Sequence, residues 1–165
     1  MPHGSKEADG NIAPFLRLLC DHGLINCKTN PNDSTLDTRI KAQKLVYMAQ
    51  CRFGLEFRYS HSLHLHGPYS IELANDYFRI RDICDMPSGG LEGWAKKEDF
   101  LKFAKGHNDV RWLEIATTLI FTLEAYMKGS RGRLLERVQE IKRDFSKEYV
   151  EQVYADLVSS GLIAE

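Results

Sequence analysis

Apolar residues at helical spacing dominate the chain, and the first such segment lies near its N terminus. Four positions mark one face of a helix: Ile12, Phe15, Leu16 and Leu19. Pro14 suits the first turn, because proline lacks the N–H group that a first turn leaves without an intrahelical partner. Gly23 suits a left-handed C-terminal cap. The pattern therefore predicts a first helix that begins close to Pro14 and ends at Gly23.

The second apolar segment changes its period at a glycine. Asp37 or Thr38 could cap a helix that ends at Gly54. Its apolar face comprises Ile40, Ala42, Leu45, Val46, Ala49 and Phe53. Between Glu56 and His66 apolar and polar residues alternate instead. A period of two predicts a half-buried strand, which is either regular or bulged near its middle.

A Gly-Pro pair follows the alternating segment. Gly67 and Pro68 predict the end of the strand, because proline cannot donate to a ladder and restricts the residue before it. Ser70 is placed to cap a helix that begins at Ile71, and Glu72 is favourable in the first turn of that helix. We therefore expect a strand, a rigid turn and a helix in this order.

The second half of the chain has a helical pattern. A break at Met86–Gly90 precedes a short helix near Lys97–Ala104 and a long apolar segment from Val110 to Met127. Charged residues interrupt the long segment, so it predicts a buried central helix and not a membrane span. Two further helices follow, and Ser146 is placed to cap the last one.

These elements predict a mainly α fold. We expect a compact multi-helix domain with seven helices and a small β-strand or hairpin element before the Gly-Pro turn. The last two helices could form a helix-turn-helix or winged-helix-like unit. Residues 1–11 are interpreted as a flexible tail and residues 12–165 as a single helical domain. The break after Met86 leaves open a division into two lobes, 12–85 and 95–165.

Composition excludes some classes of function. A net charge of −1 over 165 residues provides no global field for nucleic acid or a membrane surface, so such a partner would need a local patch. The four cysteines, Cys20, Cys27, Cys51 and Cys84, match neither a CxxC motif nor a dense secreted framework. We therefore predict free thiols in a reducing compartment and a cytoplasmic location.

Three histidines lie close together in the alternating segment, but their spacing does not favour a metal site. On a strand His64 and His66 would share one face while His61 faced the other way, and no EXXH-type pair completes a tetrahedral set. Cys51 and a histidine could act as nucleophile and base only if the fold brought them together. We therefore assign no metal, no cofactor and no catalytic residue.

The segment from Lys128 to Lys147 is locally basic. It carries seven basic residues against three acidic ones, which suits contacts with phosphate groups. Arg137 and Glu140 are also spaced for pairing along one helix, as expected of a solvated face. The candidate nucleic-acid contacts are Arg131, Arg133, Arg137, Lys142, Arg143 and Lys147.

Two short motifs resemble a known family. Thr38-Arg39 precedes Gln43-Lys44-Leu45-Val46-Tyr47, and His66-Gly67-Pro68-Tyr69-Ser70-Ile71-Glu72-Leu73 follows. Together they resemble the YwgA-like proteins and, in pattern, the Panacea (SocA-like) antitoxin domain, in which a K-L-x-Y-x-A-Q-type helix leads to a Gly-Pro turn. The resemblance spans about 45 residues of the core. It implies a mainly helical fold and a binding or regulatory role, with no catalytic residues to transfer.

Three function hypotheses follow. The first is a non-enzymatic, antitoxin-like interaction module that docks a protein partner, or a second copy of the chain, near the Gly-Pro turn. Its candidate contacts are Arg39, Tyr47, Arg58, His64, His66, Gly67, Pro68 and Tyr69. The second is a DNA-binding regulator that uses the basic C-terminal helices. The third is an enzyme of unknown class.

Overall fold

The fold comes from a computed structural model that describes residues 3–27, 36–80, 82–126 and 130–164. This part of the chain contains seven α-helices and two short strands, as the mainly α prediction requires. The helices are α1 (His3–Asp21), α2 (Leu36–Arg52), α3 (Ile71–Arg79), α4 (Lys97–Gly106), α5 (Val110–Tyr126), α6 (Arg131–Ile141) and α7 (Lys147–Ser159). The strands are β1 (Ser62–His64) and β2 (Gly67–Tyr69), and a 3-10 helix covers Ile83–Asp85.

Helix α5 is the centre of the molecule. It packs against α2, α6, α7 and strand β2, and most of its side chains are buried, which confirms the predicted central helix. Buried threonines also occur on it, and the Thr118 hydroxyl donates to the carbonyl oxygen of Glu114 at 2.6 Å. Bonding back to its own helix satisfies a hydroxyl without a partner from elsewhere. Within the described segments, no helix has the length and apolarity needed to cross a membrane.

Several helix ends follow the local sequence. Gly23 and Gly161 have positive φ angles of 70° and 74°, and the residue after each donates back to the helix, from Leu24 to Leu19 at 2.8 Å and from Leu162 to Leu157 at 2.9 Å. These bonds form Schellman caps. The Ser70 and Ser146 side chains accept from the backbone three residues ahead, so both predicted N-caps are confirmed.

Helix α1 begins earlier than the apolar pattern indicates. It is assigned from His3, so it includes residues 3–11, and Pro14 lies inside it and not in its first turn. The prediction for Pro14 was therefore wrong. Helix α2 likewise begins at Leu36, which places Asp37 in its first turn. Lys128 and Gly129, which were assigned to the basic segment, lie outside the described residues.

The β element is a hairpin and not one long strand. β1 pairs antiparallel with β2 in the register Ser62–Tyr69, Leu63–Pro68 and His64–Gly67, so Gly67 and Pro68 form a strand that was predicted to be a turn. A two-stranded sheet tolerates Pro68. Each strand has one neighbour, so the N–H that proline lacks is not needed to bond a second strand.

The segment between α2 and β1 has the predicted alternation of buried and exposed side chains, but it pairs with no strand in the described part of the chain. Phe57 and Tyr59 are buried, and Arg58 between them has a φ of 64°, which breaks a regular strand. The Gln50 side chain replaces the missing partner. Its Nε2 donates to the Tyr59 carbonyl oxygen at 2.9 Å, and its Oε1 accepts from the Tyr59 N–H at 3.0 Å.

Buried apolar side chains from all seven helices form the core. This core includes residues on both sides of Met86–Gly90, the break from which two lobes were inferred. Cys20 and Cys27 are joined as a disulfide, whereas Cys51 and Cys84 are free. The prediction of four free thiols was wrong, because the cap at Gly23 reverses the chain and brings the Cα atoms of Cys20 and Cys27 to 5.5 Å.

Candidate functional site

A cleft lies between helix α2, the β1–β2 hairpin and helix α3, and we call it the hairpin cleft. Its volume is about 290 Å³. Apolar side chains line its walls, among them Ile40 from α2, Leu73 and Phe78 from α3, and Leu65 from the hairpin turn. None of the described residues that line it is acidic, whereas Arg39, Lys44, His64 and His66 are basic.

Helix α2 holds the hairpin through two adjacent side chains. Gln43 Nε2 donates to the Ser70 carbonyl oxygen at 2.9 Å, and Gln43 Oε1 accepts from the Ser70 N–H at 2.9 Å. Lys44 Nζ donates to the Pro68 carbonyl oxygen at 2.6 Å. Through these bonds the Gln-Lys pair of α2 fixes the backbone of the Gly-Pro-Tyr-Ser segment.

A buried group of charges lies beneath the hairpin. Lys142 Nζ donates to Glu114 Oε2 at 2.7 Å and to the Leu65 carbonyl oxygen at 2.9 Å. Glu114 Oε1 lies 3.4 Å from His66 Nδ1. Lys44 is only 1% exposed and interacts electrostatically with both Glu114 and Lys142. Lys142 thus pairs directly with Glu114, whereas Lys44 bonds the Pro68 carbonyl oxygen and feels the carboxylate only electrostatically. We call Lys44, His66, Glu114 and Lys142 the buried charge cluster.

Lys44 has an unusual protonation equilibrium. Burial lowers its pKa from 10.5 to about 7; the carboxylate of Glu114 opposes this shift, and the charge of Lys142 adds to it. Near neutral pH a substantial fraction of the Lys44 amine is therefore uncharged. Such an amine can release or take up a proton, and a perturbed group beside a cleft is a recognised marker of functional sites.

Gly67 allows the hairpin to approach this cluster. Its φ is +98°, and a Cβ atom at this position would lie 2.9 Å from Thr118 Oγ1 and 3.4 Å from both Lys44 Nζ and the Glu114 carbonyl oxygen. Helix α5 therefore leaves no room for a side chain here. The glycine was expected to shape a turn, but close packing against α5 is what the structure requires of it.

The structure separates the predicted partner contacts into two groups. Five of them line the hairpin cleft: Arg39, His64, His66, Gly67 and Tyr69. Three do not: Tyr47, Arg58 and Pro68. Tyr47 is only 5% exposed and packs against the His61 and Phe121 rings, so it cannot contact a partner in this conformation. Pro68 is also buried, and Arg58 is exposed on the segment before the hairpin.

The three histidines have different surroundings. His61 packs edge-on against Tyr47, and burial, with a smaller effect of Lys44, lowers its pKa to about 4, so it is neutral at pH 7. His64 packs on the Tyr69 ring with 4.9 Å between ring centroids. His66 faces Glu114. Each ring is thus engaged separately, because the hairpin turn moves His66 away from the strand geometry that the spacing implied.

The idea of a catalytic Cys51 gains no support. Its thiol interacts with the Tyr47 hydroxyl, and burial raises the pKa of Cys51. A thiol with a raised pKa is a poor nucleophile, because the thiolate is the reactive form.

The basic candidates on α6 and α7 do not form one set. Lys142 is 6% exposed and bonded to Glu114, so it is not available to a phosphate group, and its inclusion was wrong. Arg137 pairs with Glu140 at 3.5 Å, and Arg131 lies over the Tyr154 ring. Arg133, Arg143 and Lys147 are exposed. The nucleic-acid hypothesis stays a prediction that now rests on five exposed cations.

Three residues of the site, Gln43, Lys44 and Glu114, were not among the predicted site residues. A signal exists for Gln43 and Lys44, because both are polar residues among the apolar positions of α2. Glu114 has no such signal, since Arg111, Thr117 and Thr118 are its neighbours along α5. A charged group is rarely buried without a partner. What the pattern cannot show is which partner each group meets.

Comparison of the chain with protein-family models, with curated proteins and with solved structures gave no match. The mainly α architecture with a small β-hairpin is thus the class that the structure itself defines.

Proposed function

We propose that this chain is a non-enzymatic interaction module that binds a segment of a protein partner in the hairpin cleft. The segment carries an apolar side chain, which enters the cleft, and flanking acidic residues, which face Arg39 and His66. A binding or regulatory role of this kind agrees with the one that the resemblance to the YwgA-like and SocA-like proteins implies.

The exposure of Leu65 is the observation that carries the proposal. Among the described residues, the large apolar side chains that are exposed are Leu36, Leu65 and Ile71, at 53%, 82% and 63%. Leu36 and Leu65 line the cleft, whereas Ile71 lies outside its lining. Exposed apolar side chains that cluster at the rim of an apolar cleft are typical of protein-binding sites.

Charge specifies the partner further. The lining contains basic groups and no acidic one among the described residues. Positive potential at the rim favours acidic groups on a partner and disfavours basic ones. A partner segment with an apolar anchor between Asp or Glu residues therefore fits both the shape and the charge of this cleft.

A random peptide library displayed on phage tests the proposal with the purified chain. We expect the enriched peptides to share an apolar anchor flanked by acidic residues and to bind more weakly as salt rises. Fluorescence anisotropy with a synthetic consensus peptide measures the affinity. Leu65→Ser should weaken binding by at least about tenfold, which corresponds to roughly 1.4 kcal/mol.

Ile71→Ser is the matched control, because it removes an exposed apolar side chain that does not line the cleft. Equal losses for Leu65→Ser and Ile71→Ser, or an enriched consensus without acidic residues, would contradict the proposed site. If sedimentation showed that the chain itself dimerises and that Leu65→Ser abolishes the dimer, the occupant would be a second copy of the chain.

A further inference from the structure

Three cysteines converge on one end of helix α1, away from the hairpin cleft. Cys20 is in the last turn of α1, Cys27 is in the segment that follows, and Cys84 is in the 3-10 helix. Their three Sγ atoms all lie within 4.8 Å of one another. Cys20 and Cys27 form the disulfide, and Cys84 is an exposed free thiol. A disulfide needs two sulfurs, so the third requires an explanation.

Bonds that do not involve sulfur hold the three cysteines in place. The Ile83 N–H donates to the Cys27 carbonyl oxygen at 2.9 Å, which ties the two segments together. Arg17 Nη1 reaches from α1 to the carbonyl oxygens of Cys84 and Met86, at 2.9 and 2.7 Å. Asp82 Oδ1 accepts from the Cys84 N–H at 3.0 Å. The backbone therefore keeps the sulfurs close together whether or not two of them are bonded.

Three thiol groups from three segments form the donor set that a soft divalent cation prefers. Thiolate sulfur binds zinc at about 2.3 Å in tetrahedral sites, which brings the sulfurs of one site within about 4 Å of each other. Arg17, close to Cys84, limits the negative charge that three thiolates would build up.

We propose that Cys20, Cys27 and Cys84 of the reduced chain form a binding site for a zinc-like divalent cation. Binding converts three thiols into three metal thiolates and releases three protons, while water or another group completes the tetrahedron. The Cys20–Cys27 disulfide is the oxidised, metal-free form of this site. A phosphine reductant converts it to the metal-binding form: the phosphine supplies two electrons, one water molecule supplies two protons and its oxygen, and the products are two thiols and a phosphine oxide.

Cobalt substitution in the full chain tests the site. After reduction with a phosphine and removal of the reductant without air, we expect one Co²⁺ per chain, with a sulfur-to-cobalt charge-transfer band and the strong visible absorption of tetrahedral Co²⁺. Added Zn²⁺ should displace it. Cys84→Ser should weaken Co²⁺ binding by at least about tenfold, because even residues behind a metal ligand contribute that much.

Cys51→Ser is the matched control, because Cys51 is the other free cysteine and lies on α2. It should bind Co²⁺ as the unchanged chain does. A reduced chain that shows no charge-transfer band, or a Cys84→Ser variant that binds as tightly as the unchanged chain, would overturn the proposal.

A second measurement needs no variant. Zn²⁺ should slow alkylation of Cys84 in the reduced chain at least about tenfold, as read by peptide mass spectrometry, since a metal-bound thiolate is shielded from the reagent. An unchanged alkylation rate at Cys84 would refute metal binding, whatever the folding behaviour of the variants.

Discussion

The hairpin region and the α6–α7 region both contain several basic side chains. Those beneath the hairpin are buried, whereas those on α6 and α7 are exposed. Beneath the hairpin, Lys142 is buried and bonded to Glu114, and Lys44 is buried and interacts with the same carboxylate electrostatically. On α6, Arg137 is exposed and pairs with Glu140 along the same helix. By the number of charges alone, substitutions in the second region would be expected to matter more for stability, because it has more cations.

Burial reverses that weighting. A pair in water gains little, because solvent screens it, whereas a buried charge depends on its partner for most of its stabilisation. The buried charge cluster is therefore the part of the molecule in which one substitution has the largest consequences. Burial, and to a smaller extent the charges of Glu114 and Lys142, also sets the protonation of Lys44, which lines the hairpin cleft.

Removal of the Glu114 carboxylate should produce the largest difference in stability between the two regions. Glu114→Gln leaves the buried Lys142 without its anionic partner, and we expect the free energy of unfolding to fall by about 3–5 kcal/mol. Glu140→Gln breaks the exposed pair with Arg137 and should cost less than about 1 kcal/mol. Urea unfolding of both variants at neutral pH provides the comparison, and similar losses would show that burial does not distinguish the two regions.

The two regions also differ in how much space surrounds their left-handed glycines. Gly67 and Gly161 both have positive φ, but a Cβ atom at Gly67 would meet Thr118 and Glu114, whereas at Gly161 nothing lies within 4 Å. Gly161→Ala should cost roughly 1–2 kcal/mol through backbone strain alone.

Gly67→Ala should cost that strain and about 1–3 kcal/mol more, because helix α5 must move to admit the methyl group. The difference between the free energies of unfolding of the two variants, measured in urea, gives the contribution of the close contact between the hairpin and α5. Equal effects would mean that helix α5 accommodates the methyl group without loss.

The pH dependence of stability offers a finer comparison. In the folded chain Lys44 loses its proton near pH 7, whereas in the unfolded chain it keeps the proton up to about 10.5. The unfolded state therefore binds more protons between these values, and the stability contributed by this group rises with pH. Below pH 7 the folded chain must bury the charged amine, so the penalty is present in full.

Lys44→Met should flatten this rise, by up to about 1.4 kcal/mol per pH unit, between pH 7 and about pH 8. Ending the range there keeps it below the ionisation of Cys51, whose ordinary pKa is 9.0. Urea unfolding across this range measures the slope, and the exposed Lys147→Met on α7 is the control that should leave it unchanged. A slope that survives in Lys44→Met would assign the effect to another group.

The parts of the fold that were predicted correctly depend on neighbours in the chain. The Schellman caps at Gly23 and Gly161 and the serine caps at Ser70 and Ser146 each require only a few consecutive residues. The central position of α5 followed from its length and apolarity. The prediction of a single long strand was wrong. The side chain of Gln50, from the preceding helix, takes the hydrogen bonds of the Tyr59 backbone that a neighbouring strand would otherwise make.

Local sequence specifies the helices and several of their ends, because these depend on local sterics and on hydrogen bonds within a few residues. Contacts between distant segments bring Lys142 to Glu114, 28 residues away, and Cys84 to Cys20 and Cys27. Such contacts depend on how the helices pack. The periodicity of the sequence shows which helix face is buried but not which residues of another segment lie against it. Burial then changes the chemistry of the same residue types, as the lowered pKa of Lys44 shows.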